Sequence, residues 1–334
     1  MKMLMFDFRE SEKSFFENND LSGFEIEFIK EPLNELTNLT EEQLCETVAI
    51  SVFISSDVTE EVIKKFKNLR IITTRSTGYN HIDIKYCTQR NIAVFNVESY
   101  GETSVAQYTF LLILALVRNL IPAYIDVLRN LINHSEYEGR NLNELSIGVL
   151  GCGSIGSSVA KIANFFGMKL YVCSYEKNPE ITSFAEYVSI DEMISKSDII
   201  TLHLPYTSET HHILNVEAFD KMKNGVYIIN TARGELVDIL ALYNNIVSGK
   251  VKGAALDVVE CEQIAVSENP IEINENNSGC LTKALIIQKL LGKDNVIITP
   301  HIAYDTKESV DIILQETFNS IRDYLKGLHT NQIR

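Results

Sequence analysis

The sequence predicts an α/β protein whose parallel sheets are crossed by helices in two domains. Three observations predict it. Short β-rich apolar runs alternate with helical patterns almost from end to end, as parallel strands joined by crossover helices require. The chain has 334 residues, about twice the usual length of one domain. Its hydrophobic residues make 45% and its charged residues 22%, an ordinary globular composition that excludes a mostly disordered or fibrous chain.

In the first hundred residues the candidate strands are Met3–Asp7, Glu25–Phe28, Val48–Phe53, Leu69–Thr74 and Ala93–Asn96, with helices at Glu60–Phe66 and Asp83–Arg90 between them. This is a small βα domain. From Glu102 to Asn119 runs a helix whose centre, Phe110 to Val117, is apolar around its whole circumference and is expected to be buried on all sides. Two settings provide that burial, a domain core or a subunit interface, and the second favours a homodimer. A second series follows at Leu145–Leu150, Lys169–Cys173, Ile199–His203, Tyr227–Asn230, Val251–Asp257 and Val296–Thr299. Six strands with helices between them is the doubly wound count. Ser189-x-x-Glu192 reads as a capping box, Glu268 to Gly279 as a loop, and Lys307 to Leu328 as a helix returning to the first domain.

Thirty Lys and Arg against forty-five Asp and Glu give a net charge of −15, a field that repels phosphate backbones and anionic membrane surfaces. Neither nucleic acid nor membrane is an expected partner. The six cysteines (Cys45, Cys87, Cys152, Cys173, Cys261, Cys280) are scattered without a C-x-x-C pair and read as reduced thiols, Cys261 as a small buried filler. Asp7 interrupts the N-terminal apolar run too early for a signal peptide, and Phe110–Val117 is far short of the ~20 residues that span a bilayer. The expected location is the cytoplasm.

Gly151-Cys152-Gly153-Ser154-Ile155-Gly156 is a G-x-G-x-x-G between an apolar strand and a helical pattern. In that context the glycines allow a tight turn and close backbone approach, so that a pyrophosphate rests on the N–H groups of the helix start. The next strand should end, roughly twenty residues on, in an acidic residue that bonds the adenosine ribose of NAD. Here the position holds Ser174, followed by Tyr175, Glu176 and Lys177. The serine leaves NADP open, while Glu176 is able to reach the ribose hydroxyls; NAD is the favoured cofactor.

Three further segments fall at carboxyl ends of strands, where open α/β sheets bind ligands. They contain Arg233, Asp257 with Glu262, and His301 with Tyr304. A guanidinium holds a substrate carboxylate and polarises the adjacent ketone with fixed, charge-assisted bonds. A histidine delivers a proton to the developing alkoxide, and a carboxylate beside it favours the imidazolium. Arg233, Glu262 and His301 suit the reduction of a 2-oxo acid. No metal is expected: His211 and His212 are adjacent, so their side chains should point to different sides of the chain, and no carboxylate or cysteine spacing completes a site. His203 reads as a residue of the cofactor pocket.

At these residues the whole chain resembles the D-isomer-specific 2-hydroxyacid dehydrogenases. The match extends to Ser197-Asp198-Ile199-Ile200-Thr201-Leu202-His203-Leu204-Pro205, Thr207-x-x-Thr210, Met222-Lys223-Asn224-Gly225 and Asn230-Thr231-Ala232-Arg233-Gly234. Arg75-Ser76-Thr77-Gly78-Tyr79-Asn80-His81-Ile82-Asp83 and Asn96-Val97-Glu98-Ser99-Tyr100 resemble the D-lactate branch, as does the long acidic stretch between Glu262 and His301. The resemblance implies two doubly wound parallel-sheet domains. A Rossmann NAD-binding domain, 101–301, is inserted into a discontinuous flavodoxin-like substrate domain, 1–100 and 302–334, with the substrate in a closing cleft.

It further implies that Arg233 binds and activates substrate and that Glu262 and His301 form the acid/base pair. Backbone N–H groups of Thr77 and Gly78 would hold the carboxylate, and Tyr100 and Tyr304 would line the substrate pocket. Gly151, Gly153, Ser154, Ile155, Gly156, Ser174, Leu204, Pro205, Thr210, Thr231, Ala232 and Asp257 would bind the cofactor, and the chain would be a homodimer joined through the cofactor domain. The activity expected is interconversion of a small 2-oxo acid, foremost pyruvate, with the D-2-hydroxy acid. The alternatives are a hydroxypyruvate- or phosphoglycerate-type enzyme, one acting on branched or aromatic oxo acids, or an NAD-sensing corepressor-like binding protein.

Overall fold

The computed structural model describes residues 1–19, 23–131, 137–266 and 278–333. The chain divides into two compact units, Met1–Tyr100 with Asp305–Arg334, and Gly101–Tyr304. In chain order the first stretch contains β1 (Lys2–Met5), α1 (Lys13–Asn18), β2 (Glu25–Phe28), α2 (Glu41–Glu46), β3 (Thr47–Val52), α3 (Glu60–Lys65), β4 (Ile71–Thr74), α4 (Ile84–Gln89) and β5 (Ala93–Phe95). The second unit begins with α5 (Glu102–Val117), α6 (Leu120–Arg129), β6 (Ser146–Leu150), α7 (Ser154–Phe165), β7 (Lys169–Cys173), β8 (Glu186–Tyr187), α8 (Ile190–Lys196) and β9 (Ile199–Leu202). It continues with α9 (Val216–Lys221), β10 (Val226–Asn230), α10 (Ile239–Val247), β11 (Val251–Leu256), α11 (Glu262–Ala265), α12 (Ser278–Leu291) and β12 (Val296–Ile298). The chain then returns to the first unit as α13 (Lys307–Leu325) and β13 (Gln332–Ile333).

The first unit's sheet has the order β13-β5-β4-β3-β1-β2, parallel except for β13, which pairs antiparallel with β5. The second unit's sheet is parallel throughout, ordered β12-β11-β10-β9-β6-β7-β8. Its strand order reverses between β6 and β9, and such a switch point opens a ligand crevice beyond the carboxyl ends of the strands. Alternate side chains of β10 enter opposite layers, Ile228 packing with Leu242 and Leu290, Tyr227 and Ile229 with Phe110 and Val159. Burial on both faces explains why these strands read as continuous apolar runs. In the first unit Leu4, Ile50 and Ile72 face one layer, and Met3, Ala49 and Ile71 the other, under Phe318 of α13.

Several expectations need correction. The apolar helix is not buried all round. Gln107, Leu111 and Leu114 on α5, with Arg118 just beyond it, form an exposed stripe, because among the described residues that face of the helix has no covering neighbour, and Leu111 is 51% exposed. Asn119 turns left-handed (φ 50°) and starts the separate helix α6. The two-residue strands β8 and β13 carry too few residues to show a period. Of the expected loop Glu268–Gly279, residues 268–277 lie outside the described residues, and Ser278 and Gly279 already belong to α12. Ser189 Oγ accepts from Glu192 N–H at 3.3 Å, but the Glu192 carboxylate pairs with Lys196. Among the described residues no single helix is long and apolar enough to cross a membrane.

Candidate active site

The glycine turn joins β6 to α7. Gly151 has φ +91°, and a Cβ there would lie 2.6 Å from His203 O, so only glycine suits the turn. At Gly156 a Cβ would meet Gly151 O at 2.0 Å; this glycine lets α7 pack onto the turn. Gly153 differs, with nothing within 4 Å of the same position. Two glycines serve the fold, while the middle one keeps open the space before the helix start, the property a pyrophosphate cradle needs. Beside it lies a cavity of about 440 Å³, bordered by Gly153, Ser154, Lys161, Glu176, Lys177 and Asn178. These donors and the open turn fit a dinucleotide.

Ser174 stands at the end of β7, and its Oγ accepts from Cys152 N–H at 3.3 Å, so the side chain braces the glycine turn while Glu176 and Lys177 border the cavity. Thr210 acts similarly: Oγ1 accepts from Thr207 N–H and donates to Pro205 O, both at 2.8 Å, fixing the Leu204–Pro205 turn. The Leu204 side chain abuts Gly151, and Ile155 packs partly buried in the core under the turn. Thr231 Oγ1 meets Thr109 Oγ1 at 3.0 Å, and Ala232 is buried. His203 Nε2 bonds Thr201 Oγ1 at 2.9 Å, and desolvation by the surrounding protein pushes its pKa down to about 3. It is a neutral imidazole against the turn.

The acid/base candidates meet directly. His301 Nδ1 lies 3.2 Å from Glu262 Oε2, with the two side chains 23% and 31% exposed. A carboxylate on Nδ1 fixes the tautomer and leaves Nε2 to face a reactant. The turn carrying His301 is strapped by Asp257, whose Oδ1 accepts from Thr299 Oγ1 at 2.6 Å and Ile302 N–H at 3.0 Å, and whose Oδ2 accepts from Ala303 N–H at 2.8 Å. This bonding over-determines a left-handed His301, φ 55°, a strained state that persists only where the surroundings enforce it.

Arg233 follows β10. Among the described residues its guanidinium makes one hydrogen bond, from Nη1 to Ala232 O at 2.6 Å, and no ion pair. Its backbone is held by Asn230, which donates to Arg233 O at 2.8 Å and accepts from Ala232 N–H at 3.0 Å. A Cβ on Gly234 would fall 2.2 Å from Val259 C, so the Arg233 turn lies directly on the Val259–Glu260 backbone, two residues before Glu262. Arg233, Glu262 and His301 thus come from neighbouring strand ends of one sheet. Tyr304, also in this unit, is buried and packs its Cβ toward Gly101.

In the first unit, Thr77 Oγ1 donates to Val97 O at 2.9 Å, Asn96 Nδ2 to Thr77 O at 2.9 Å, and Ser76 Oγ to Gly78 O at 2.6 Å. Among the described residues nothing accepts from the backbone N–H of Thr77 or Gly78. Arg75 below them is buried, donating to Phe6 O at 2.8 Å, Asp7 O at 3.0 Å and Ser51 Oγ at 3.1 Å. Tyr100 O accepts from Ser309 Oγ at 3.0 Å.

Other features were not legible beforehand. Cys261 and Cys280 are joined by a disulfide, which corrects the reading of six thiols and of Cys261 as a filler; α12 supplies the partner 19 residues away, too far for any local motif. His212, left-handed at φ 47°, stacks on His211 at 3.9 Å between ring centroids, so the two rings share a side. The ring of His212 bonds buried Glu260 at 2.9 Å, and Lys283 reaches the same oxygen at 2.5 Å. Tyr108 on α5 bonds Thr299, and burial raises its pKa. The signals for Asn230, Gly234 and Tyr108 were present only as strand-end and helix-face residues.

Residues 110–303 match the family model described as D-isomer specific 2-hydroxyacid dehydrogenase, NAD binding domain. The chain belongs to that family. A D-lactate dehydrogenase from Aquifex aeolicus, solved with NAD and lactic acid, superposes with a TM-score of 0.84 at 38% identity, covering 97% of this chain and 96% of that one. An aromatic 2-oxoacid reductase of Clostridium sporogenes is 36% identical over 85% of each chain. A hydroxypyruvate reductase of Thermotoga maritima is 38% identical over 76% of this chain and 77% of its own. As a family member the protein is an NAD-dependent oxidoreductase of small 2-hydroxy and 2-oxo acids.

Proposed function

We propose that the enzyme reduces pyruvate to D-lactate with NADH, using Arg233, Glu262 and His301. The observation that carries the reading is the Glu262–His301 pair, 3.2 Å apart in the unit that also presents Arg233, which has no ion pair among the described residues. The bound dinucleotide supplies the hydride. Arg233 grips the substrate carboxylate and polarises the ketone; His301 Nε2 passes its proton to the forming alkoxide oxygen, while Glu262 holds the opposite ring nitrogen. The family resemblance assigns the substrate carboxylate to the backbone N–H groups of Thr77 and Gly78 and pocket-lining roles to Tyr100 and Tyr304. Asp257 acts through the His301 turn. Likeness to the Aquifex enzyme and the first-domain motifs support pyruvate.

Gly151, Gly153, Ser154, Ile155 and Gly156 cradle the pyrophosphate, and Leu204, Pro205, Thr210, Thr231 and Ala232 bound the rest of the dinucleotide site. Glu176 takes the ribose role that Ser174, turned toward the glycine loop, leaves unfilled. The apolar faces of α5 and α6 join two copies into a homodimer, and the enzyme works in the cytoplasm. A panel of pyruvate, phenylpyruvate, 2-oxoisocaproate and hydroxypyruvate, assayed at 340 nm with NADH and with NADPH, tests the reading. The highest kcat/KM is expected for pyruvate with NADH. The likeness to the Clostridium reductase favours a second reading, in which phenylpyruvate leads the panel; no turnover with any oxo acid would remove both.

A further inference from the structure

We propose that Cys261 and Cys280 are a redox-modified pair that sets how firmly Glu262 is held against His301; the inference rests on the acid/base roles proposed above. The two cysteines are bonded through their sulfurs, with Cα atoms 5.6 Å apart. Cys261 immediately precedes Glu262, caps the one-turn helix α11, and is itself left-handed at φ 55°, a conformation costly for a residue with a Cβ. Helix α12 holds this segment at three points. Lys283 Nζ bonds Glu260 Oε1 at 2.5 Å on one side of Glu262, and Gln288 Nε2 donates to Ala265 O at 3.1 Å on the other. The disulfide is the covalent tie, and it acts at the residue next to Glu262.

Both half-cystines are partly exposed, so oxidants and thiols can reach them. The other four cysteines have no sulfur partner; Cys87 and Cys152 are buried, and burial raises the pKa of Cys173 and pushes Cys87 up to about 12, disfavouring the reactive thiolate. A peroxide supplies the oxidation: two thiols lose two protons and two electrons, the S–S bond forms, and one hydrogen peroxide becomes two waters. A dithiol reverses it by exchange through a mixed disulfide and is itself oxidised. The bonded form already has Glu262 at 3.2 Å from His301, so it is the competent one. Opening the bond leaves the Glu260–Ala265 segment tied to α12, among the described residues, by the Lys283–Glu260 and Gln288–Ala265 hydrogen bonds.

The test compares full-length enzyme treated with hydrogen peroxide, the same enzyme reduced with dithiothreitol, and a Cys280→Ser variant. Peptide mapping reads the cross-link, hydrogen exchange reads the Glu262–Ala265 turn, and steady-state kinetics separate kcat from KM. The expected result is a Cys261–Cys280 peptide with slower exchange in the oxidised enzyme, and kcat about threefold to tenfold above the reduced form with KM little changed. Cys280→Ser should match the reduced enzyme and ignore peroxide. Failure of the cross-link to form, or a cross-link that changes neither exchange nor kcat, overturns the proposal. Absence of turnover in every form, with the cross-link and slowed exchange present, would count against the assigned reaction and leave the redox pair standing.

Discussion

Arg233 illustrates what a single side chain does here. Its backbone is pinned by Asn230 and by the contact of Gly234 with Val259, while its charge has no internal ion pair among the described residues. Arg233→Ala should lower kcat/KM for the oxo acid by about three orders of magnitude, because two charge-assisted bonds to a carboxylate are lost. The Tm should change little. His203 makes a different prediction. Its pKa falls from 6.5 to about 3 on folding, so below pH 6.5 the unfolded chain takes up a proton that the folded one refuses. The neutral ring's contribution to stability is therefore complete above 6.5 and drains away as the pH falls toward 3. In melting curves from pH 7 to 4.5, wild type should lose Tm faster than His203→Asn; parallel curves would contradict this assignment.

At the scale of elements, the β6–α7 turn and the α5–α6 pair each separate fold from function. A side chain at Gly156 collides with backbone, whereas one at Gly153 meets open space. Gly156→Ala should unfold at markedly lower temperature. Gly153→Ala should melt like wild type but raise KM for NADH about tenfold or more, since its methyl enters the room kept for the pyrophosphate. An equal loss of stability in both would mean that the middle glycine is only structural. Helix α6 buries none of its residues, and Leu120, Tyr124, Val127 and Leu128 on it are exposed beside the Leu111–Leu114 stripe of α5. An apolar surface of this kind suits the proposed dimer interface. Sedimentation should find wild type dimeric at micromolar concentration and Tyr124→Glu/Leu128→Glu monomeric.

Across the whole molecule, the features visible in the sequence are those with a local period. Strand Val226–Asn230 reads directly because burial on both faces makes Val226 to Ile229 an uninterrupted apolar run, and the glycine motif reads because three special backbone positions sit within six residues. The pairing of Glu262 with His301 emerged from the order of strand ends and the family resemblance. The Cys261–Cys280 bond and the Lys283–Glu260–His212 cluster were hidden because they depend on where α12 docks, which no local pattern encodes. The same holds for Asp257, whose sequence position suggested the cofactor while its carboxylate is engaged by the His301 turn.

In the proposed reaction His301 delivers the proton while Glu262 steadies it. Its most direct measurement is oxo-acid reduction by His301→Gln beside wild type, with NADH affinity titrated by fluorescence on the same preparations. The variant should bind NADH with a Kd within about twofold of wild type and show a kcat at least about a thousandfold lower. A variant that binds NADH normally and keeps a tenth or more of wild-type kcat would contradict that role of His301.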